Sequence, residues 1–369
     1  MKDIKVKVGL QQRVLPSYRV PFFDALAQAC PAGLSVFAGC PRSKEALDTG
    51  AVPLVAQYYP ARNLHVLYGL AYTCWQTNIR KWLNEWQPQV LIMEANPRYP
   101  LSLTAINWMR RRGGRLIGWG LGSPIPQGKF TRLRLERRKR FISQFDALIT
   151  YSQAGAQEYA DLGFPAEAIF TAPNAVAPKP TQPAPQRPLD YSPGGPVVLF
   201  VGRLQARKKI DQLMHACAAL PQEQQPVLWI VGDGPLRREL EALAAEIYPK
   251  AKFYGAQHDS ELEQLFQGAD LFVLPGTGGL AVQQAMAHAL PVIVGVADGT
   301  QSDLVRAQNG WMLTAGSTSE LTHKIADALG DLPRLRAMGL SSYEIVSRDV
   351  NLENMVAVFV DAVNRVLEA

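Results

Sequence analysis

The sequence lacks the features that mark several specialised classes of protein. None of its apolar runs reaches the roughly 18 residues that a membrane-spanning helix requires. Four cysteines at irregular spacings form no CxxC pair, and five histidines form no ligand spacing, so neither a disulfide framework nor a metal site is expected. The N-terminal residues MKDIKVKVGL lack the apolar core and cleavage site of a signal peptide. These absences favour a cytoplasmic protein that needs no metal or other cofactor.

Proline is concentrated in one stretch, where eight prolines fall between positions 173 and 196. Proline removes a backbone donor and fixes φ, so an extended connector outside any packed core is expected there. The length of 369 residues, with 47% hydrophobic and 19% charged residues, favours two folded domains. The predicted segments are an N-terminal domain at 1–178, a linker at 179–196, a C-terminal domain at 197–350 and a closing helix at 351–369. That helix could pack back on the N-terminal domain.

Short apolar runs alternate with longer helical patterns on both sides of the linker. The runs include VLIMEA and RLIGWG upstream, and VVLFVG, VLWIVG and LFVLPG downstream. Near-continuous apolar strands separated by helices are typical of parallel sheets covered on both faces. The predicted fold class is α/β, with two doubly wound, Rossmann-like domains whose strand ends face a cleft. Segment 64–79 is uncharged and aromatic-rich, and we interpret it as a buried helix, with an acceptor or membrane surface as the alternative.

The net charge of +6 is distributed unevenly between the two halves of the chain. Residues 1–180 carry 23 Lys or Arg against 11 Asp or Glu, and the remainder carries 15 against 21. Eleven of the basic residues lie between 110 and 140, where Glu136 is the only acidic residue. We call these eleven residues the basic patch. Such a patch could bind an anionic membrane surface or could simply be a solvated helix face. Nucleic acid is not expected, because no nucleic-acid-binding motif accompanies the charge.

Three motifs in the C-terminal half combine strands with glycine loops. In VVLFVGRLQARKKID, Arg203 follows a buried strand and Lys208 precedes a helix, a pairing that suits a diphosphate. VLWIVGDGPLRREL is a strand, a tight turn and a helix. LFVLPGTGGLAVQQAMA is a strand followed by a loop with Gly276, Gly278 and Gly279, whose backbone could approach a ligand closely.

The order and spacing of these motifs resemble the donor-binding domain of the large retaining GT-B glycosyltransferase family, glycosyl transferases group 1. The resemblance runs from about Val197 to Leu313. It implies that Arg203 and Lys208 neutralise the diphosphate of a nucleotide sugar, and that Gly255 and Ala256 contact the nucleobase. It also implies that the loop Gly276–Leu280, which includes Gly278 and Gly279, contacts the transferred sugar and the β-phosphate.

One departure from the family bears on activity. The family usually carries two glutamates across the loop and the following helix, and here Gly276 and Gln284 occupy those positions. Gln284 can still hydrogen-bond a ribose hydroxyl, whereas Gly276 cannot replace a carboxylate. The chain is therefore either an active subfamily built around PGTGGLA or a non-catalytic protein that binds nucleotide sugars.

Four residues of the N-terminal half are candidates for the acceptor side or the cleft. Arg13 and Arg19 lie in the loop after the first strand, where a plain surface loop is the alternative. Glu94 follows another strand end and could contact the acceptor, act as a base or cap a helix. Trp119 could stack on a sugar or belong to the core.

The resemblance implies a retaining, metal-independent hexosyltransferase that moves sugar from a nucleotide-diphosphate donor to a lipid-linked or polysaccharide acceptor. The expected partners are a nucleotide sugar, that acceptor and an anionic membrane surface at the basic patch. The expected location is the cytoplasm, with peripheral binding to the inner membrane face as an extension of that idea. A GT-B enzyme of different chemistry, such as an epimerase, is disfavoured because the carboxylates and histidines that it needs cannot be placed.

Overall fold

A computed structural model describes residues 3–42, 45, 47–67, 69, 72–124, 131–296 and 299–369. The chain divides into two compact units. The first comprises Met1–Val176 together with Leu352–Ala369, and the second is Ala177–Asn351.

Among its described residues, the first unit contains nine strands and five α-helices before the chain leaves it. The strands are β1 (Val8–Val14), β2 (Leu34–Gly39), β3 (Gln57–Pro60), β4 (Asn63–Val66), β5 (Thr73–Gln76), β6 (Val90–Glu94), β7 (Arg115–Gly120), β8 (Ala147–Thr150) and β9 (Ile169–Thr171). The helices are α1 (Val20–Gln28), α2 (Ile79–Trp86), α3 (Ser102–Arg110), α4 (Thr131–Ile142) and α5 (Gln153–Asp161).

In the part of the second unit that the structure describes, there are six strands and seven α-helices. The strands are β10 (Val197–Val201), β11 (Val227–Val231), β12 (Ala251–Gly255), β13 (Leu271–Leu274), β14 (Val292–Gly295) and β15 (Gly310–Leu313). The helices are α6 (Ile210–Ala218), α7 (Arg237–Ile247), α8 (Asp259–Gly268), α9 (Leu280–Ala287), α10 (Thr300–Leu304), α11 (Thr318–Leu329) and α12 (Leu332–Arg348).

Each unit is built on one parallel sheet. The strand order is β3-β2-β1-β6-β7-β8-β9 in the first unit and β12-β11-β10-β13-β14-β15 in the second. All neighbouring strands in both sheets pair in parallel, and the central ones are fully buried, because helices cover both faces. In both sheets the strand order reverses direction beside the first strand, between β1 and β6 and between β10 and β13. This is the doubly wound α/β arrangement that the sequence predicts.

The closing helix α13 (Leu352–Glu368) belongs to the first unit, where it packs on α1, β7, β8 and β9. Its Phe359 ring lies 4.9 Å from the rings of both Phe22 and Trp119.

The proline-rich segment has neither helix nor strand between 177 and 196, but it is attached to the second unit. Arg187 donates hydrogen bonds to the carbonyls of Phe266 (2.9 Å), His288 (2.6 Å) and Ala269. The Tyr191 hydroxyl donates to the carbonyl of Leu329 at 2.8 Å. These contacts secure the connector to the ends of several helices.

The prediction of a buried helix at 64–79 is wrong. Strands β4 and β5 form an antiparallel hairpin in which Leu64 lies opposite Trp75. Leu64 is 56% exposed and Trp75 is 40% exposed, so one face of the hairpin meets solvent. Alternation of side chains in a short hairpin leaves no helical stripe to bury. Positions 68, 70 and 71 of this segment lie outside the described residues.

Candidate functional site

The second sheet brings the first and third motifs to one place. Arg203 follows β10 by two residues, and the loop 275–279 directly follows β13. Strands β10 and β13 are neighbours, and the chain leaves their carboxyl ends toward opposite halves of the sheet. Ligands of doubly wound sheets bind at this switch point. The topology therefore supports the sequence-based location of the site.

Lys208 is fixed to the glycine loop. It ends a short 3₁₀ turn, Ala206–Lys208, and its side chain is buried. Its Nζ donates a hydrogen bond to the Thr277 carbonyl at 2.5 Å. Thr277 N donates to the Arg207 carbonyl at 3.0 Å, and Arg207 Nη1 donates to Thr277 Oγ1 at 2.9 Å. Turn and loop thus form one hydrogen-bonded unit.

Burial and the nearby charge of Arg207 lower the pKa of Lys208 to about 8. The ammonium has no carboxylate partner among the described residues and donates instead to the neutral Thr277 carbonyl, so no negative charge offsets the free-energy cost of burying it. An anion that neutralises this charge would remove part of the penalty.

Arg203 differs from Lys208 because its side chain is exposed. In the part of the chain that the structure describes, its guanidinium has neither a hydrogen bond nor an ion pair. Its backbone is nevertheless fixed, since Gly202 N donates to the Val231 carbonyl at 2.9 Å and Leu204 N donates to the Asp233 carbonyl at 3.0 Å. The guanidinium of Arg203 therefore offers several coplanar N–H donors at a fixed strand end, which suits a phosphate oxygen.

The glycine at position 276 is required by packing. A Cβ added there would lie 2.1 Å from the Arg207 carbonyl oxygen and 2.6 Å from the Lys208 Cα. Any side chain at this position, including the usual glutamate, would have to displace the Lys208 turn. At position 276 the loop therefore lies too close to the Lys208 turn to leave room for a glutamate side chain.

The rest of the loop is held from the other side. Gly278 has φ +145, which an L side chain rarely adopts. Its carbonyl accepts a hydrogen bond from Gln301 Nε2 at 2.6 Å, and Gln301 is buried. Gly279 precedes α9, which begins at Leu280 and has no side-chain cap. The backbone amides at the start of this helix are available to a ligand. Gln284 lies half-buried on α9.

Gly255 and Ala256 lie at the same edge of the sheet but two strands away from β10. Gly255 ends β12 with φ +72 and accepts a hydrogen bond from Gly232 N at 2.6 Å. Ala256 is exposed. These positions are compatible with contact to a flat base at the rim, and that role stays a prediction.

The first sheet has its own cluster at its switch point, where β1 and β6 are neighbours. Glu94 Oε1 accepts a hydrogen bond from Arg13 N at 2.6 Å, and Glu94 N donates to Gln11 Oε1 at 3.1 Å. Burial raises the pKa of Glu94, against the opposing effect of the hydrogen bonds that its carboxylate accepts from Arg13 N and the Tyr99 hydroxyl. The Arg13 side chain turns to Glu45, with Nη1 2.8 Å from Oε2.

The other two candidates of this unit are in its core. Trp119 is 1% exposed and packs against Phe22 and Phe359, which favours the core interpretation over sugar stacking. Arg19 is also buried, with its guanidinium carbon 5.0 Å from the Trp119 ring and Nη2 3.2 Å from the Tyr151 hydroxyl.

The basic patch is partly engaged in local contacts. Arg110 Nη1 lies 2.8 Å from Asp146 Oδ1, and the guanidinium carbon of Arg112 lies 4.0 Å from the centre of a Trp108 ring. The exposed Arg132, Arg134 and Arg137 are on α4. Lys129 lies outside the described residues. Among the described residues no helix is both long and apolar enough to cross a membrane, and no group of His, Cys, Asp and Glu could hold a metal ion.

Sequence analysis missed several residues that shape these sites. Thr277, Arg207 and Gln301 fix the loop. The cavity that Gln12, Arg98 and Arg138 line in the first unit was not predicted, although Arg138 belongs to the basic patch. The signal for Arg207 was present, because it stands beside Lys208 in the first motif. Thr277 and Lys208 are 69 residues apart, and no local pattern reports their contact.

Both halves of the chain match known glycosyltransferase families. Residues 186–344 match the family model of the glycosyl transferases group 1, and residues 24–179 match that of Glycosyltransferase Family 4.

Relatives of known name each match part of the chain. A GDP-mannose-dependent alpha-mannosyltransferase of Mycobacterium tuberculosis is 36% identical over 146 residues, which are 38% of this chain and 36% of that protein. The lipopolysaccharide core biosynthesis glycosyltransferase LpsE of Rhizobium meliloti is 26% identical over 216 residues, which are 56% of this chain and 62% of LpsE. The chain spans only 30% to 37% of the length of the first curated relatives that it matches.

The crystal structure of Anabaena HepE in complex with UDP has a TM-score of 0.70 at 18% sequence identity, and the match covers 98% of this chain and 100% of HepE. This likeness concerns the fold. Together with the two family models, which match most of the chain between them, it assigns the fold and the family. The chain belongs to the GT-B glycosyltransferases, with a group 1 domain in its second unit and a Family 4 domain in its first.

Proposed function

We propose that the chain transfers a hexose from a nucleotide-diphosphate donor to a lipid-linked or polysaccharide acceptor, with retention of configuration and without a metal. The observation that carries this proposal is the arrangement at the switch point of the second sheet. Exposed Arg203 and buried Lys208 flank a glycine loop that leads into the start of α9. Two cations beside free helix amides suit a diphosphate leaving group.

In the proposed reaction the bond between sugar C1 and the β-phosphate oxygen breaks, and the acceptor hydroxyl oxygen forms a bond to C1 on the same face. The hydroxyl proton leaves to the departing diphosphate, so no protein base is assigned. Arg203 and Lys208 stabilise the charge that develops on that diphosphate. Electrostatic stabilisation of this kind commonly contributes about 3 to 4 kcal/mol per donor group.

The comparisons support this proposal at the level of substrate class. One relative is named for its use of GDP-mannose and another for lipopolysaccharide core synthesis. HepE has been crystallised with UDP and with UDP-glucose. On this basis the donor that we propose is a nucleotide-diphosphate hexose.

The test is a thermal-shift screen of the chain against UDP-, GDP-, ADP- and dTDP-sugars, because a ligand that binds the folded state raises the melting temperature. Arg203→Ala should abolish the shift given by the selected donor. Arg238→Ala, an exposed arginine of the same unit on α7, is the matched control and should preserve it. Equal loss in both variants would refute the assigned site. The anomeric configuration of the product, measured by NMR, tests retention.

A second candidate is a non-catalytic protein that binds nucleotide sugars. It is favoured by one observation, the packing at Gly276 that leaves no room for the usual carboxylate. Binding of a nucleotide sugar without transfer to any acceptor, and without donor hydrolysis, would establish this candidate over the enzyme.

We also propose that the chain works in the cytoplasm at the inner membrane face, held by the exposed arginines of the basic patch. Co-sedimentation with vesicles tests this idea. Vesicles with phosphatidic acid should bind the chain and pure phosphatidylcholine vesicles should not. Binding that does not depend on anionic lipid would contradict it.

A further inference from the structure

A cavity of about 360 Å³ lies in the first unit at the carboxyl edge of its sheet. Its wall includes Gln12, which lies within β1, and Glu94, which ends β6, together with Trp119 and Tyr151 from the ends of β7 and β8. Arg98 and Arg138 complete the polar part of the wall. Ligands of doubly wound sheets bind at this edge, so its position alone favours a binding function.

Two residues of the wall carry buried N–H groups without a partner. Gln12 Nε2 and Trp119 Nε1 have no hydrogen bond among the described residues. A buried donor that stays unsatisfied costs roughly 1 to 3 kcal/mol. Ligand oxygens at this wall could satisfy both donors and recover that cost.

The cationic side of the wall is not neutralised. Arg98 is exposed and Arg138 is half-buried, and neither forms an ion pair within the described part of the chain. Burial and then the charges of Arg134 and Arg98 lower the pKa of Arg138. Glu158 is the carboxylate that opposes this effect, and it already accepts a backbone hydrogen bond from Ser123. An anion beside Arg98 and Arg138 would relieve the repulsion between them.

The opposite side of the wall offers an acceptor. Glu94 is oriented by hydrogen bonds from Arg13 N, at 2.6 Å, and from the Tyr99 hydroxyl. A carboxylate fixed in this way can accept a further hydrogen bond from a ligand hydroxyl.

We propose that this cavity binds a hydroxylated ligand that carries an anionic group, with phosphate or carboxylate at Arg98 and Arg138 and a hydroxyl at Glu94. The inference rests on the proposed function, since it identifies this ligand as the sugar acceptor. It narrows the acceptor to an anionic molecule, such as a sugar phosphate or the headgroup of an anionic lipid.

The test is calorimetric titration of the full chain in the Arg203→Ala background, which removes the donor-side cation that could also bind phosphate. The soluble probes are mannose 6-phosphate and neutral mannose. The membrane probes are phosphatidylcholine vesicles with and without phosphatidic acid. We expect the anionic member of at least one pair to bind and its neutral counterpart to bind at least tenfold more weakly.

Arg138→Gln should weaken that binding roughly tenfold, because a hydrogen bond to a charged group contributes about 1.5 to 3 kcal/mol. With mannose 6-phosphate as the probe, Arg137→Gln is the matched control, since it makes the same charge change at the preceding residue of α4, which is exposed and outside the cavity. Glu94→Gln should weaken the binding of the selected anionic probe. Arg138→Lys should restore part of the affinity that is lost in Arg138→Gln.

Three results would overturn the proposal. They are equal affinity for anionic and neutral probes, equal losses of mannose 6-phosphate affinity in Arg137→Gln and Arg138→Gln, and no binding of any probe. The affinity of the wild-type chain for UDP- and GDP-sugars is measured separately. A chain that binds an anionic probe through Arg138 but binds no nucleotide sugar refutes the proposed function and retains the anion site.

Discussion

Replacing Gly276 by alanine tests whether the glycine loop and the Lys208 turn are one unit. The added Cβ would lie 2.1 Å from the Arg207 carbonyl oxygen and 2.7 Å from the Lys208 carbonyl carbon. Both neighbours are backbone atoms, so no flexible side chain can simply move aside. The turn and the loop must separate by about an ångström for this methyl group to reach ordinary contact distance.

The consequence can be worked out from the contacts that cross this boundary. Separation breaks the 2.5 Å hydrogen bond from Lys208 Nζ to the Thr277 carbonyl and the 3.0 Å bond from Thr277 N to the Arg207 carbonyl. Overpacking of this kind costs about 1 to 3 kcal/mol. In a unit of this size that corresponds to a loss of roughly 2 to 12 °C in melting temperature. Displacement of the ammonium should weaken nucleotide-sugar binding at least tenfold.

The assay combines thermal unfolding with calorimetric titration of the best donor. Gly194→Ala is the control in the same unit, because its Cβ would meet no atom within 4 Å and the residue lies outside the site. It should change the free energy of unfolding by less than about 0.5 kcal/mol and keep the donor affinity of the wild-type chain. If Gly276→Ala melts and binds like the control, the coupling of loop and turn is refuted. Gly276→Glu should behave like Gly276→Ala or worse and should not increase turnover.

Three further predictions concern single side chains. Donor affinity should fall above about pH 8, by about tenfold per pH unit, because Lys208 must be protonated to bind a diphosphate and its pKa is lowered to about 8. The Lys208→Gln variant should bind the donor weakly at every pH. If its affinity still fell above pH 8, Lys208 would be excluded as the cause. Arg187→Ala should lower the free energy of unfolding by about 2 kcal/mol or more in urea titrations, since buried carbonyls lose their donor, while the exposed Arg238→Ala changes it by less than about 0.5 kcal/mol. Trp75→Ser, on the exposed hairpin, should lower the free energy of unfolding by less than about 1 kcal/mol, whereas Trp82→Ala, at a fully buried residue, should lower it by about 3 to 5 kcal/mol. Similar losses in the two variants would contradict the described packing.

The central strands of both sheets could be predicted from the sequence because each is a continuous apolar run. The runs VLIMEA and VVLFVG correspond to β6 and β10, which are buried by helices on both faces. Strands β3, β9 and β15 were missed, and all three are at sheet edges. An edge strand is short and half-covered, so its composition does not differ from that of a loop. The hairpin β4-β5 was missed because its exposed apolar residues are typical of a buried helix.

The site was predictable where its signal is local. Arg203 and Lys208 stand in the first motif; the structure places Arg203 two residues after β10, and Lys208 donates a hydrogen bond to the glycine loop that follows the neighbouring β13. The depth of Lys208 and its bond to Thr277 depend on contacts between distant segments, which composition and spacing do not encode. The cavity in the first unit is harder still, because Arg98 and Arg138 belong to different elements and look like ordinary surface charges in the sequence. The roles of all these residues in binding stay predictions.

Arg203 and Lys208 have different surroundings in the second unit, and we therefore expect different roles for them. Arg203 is exposed and has no partner within the described residues, so a diphosphate can bind it without breaking any contact. Lys208 gives one N–H to the Thr277 carbonyl and keeps two for a ligand. Because the same ammonium contacts both loop and ligand, a diphosphate on Lys208 would also hold the loop that leads into α9. We therefore expect Arg203 to act on the diphosphate without affecting the loop, whereas Lys208 would link diphosphate binding to the conformation of the loop that is proposed to contact the sugar.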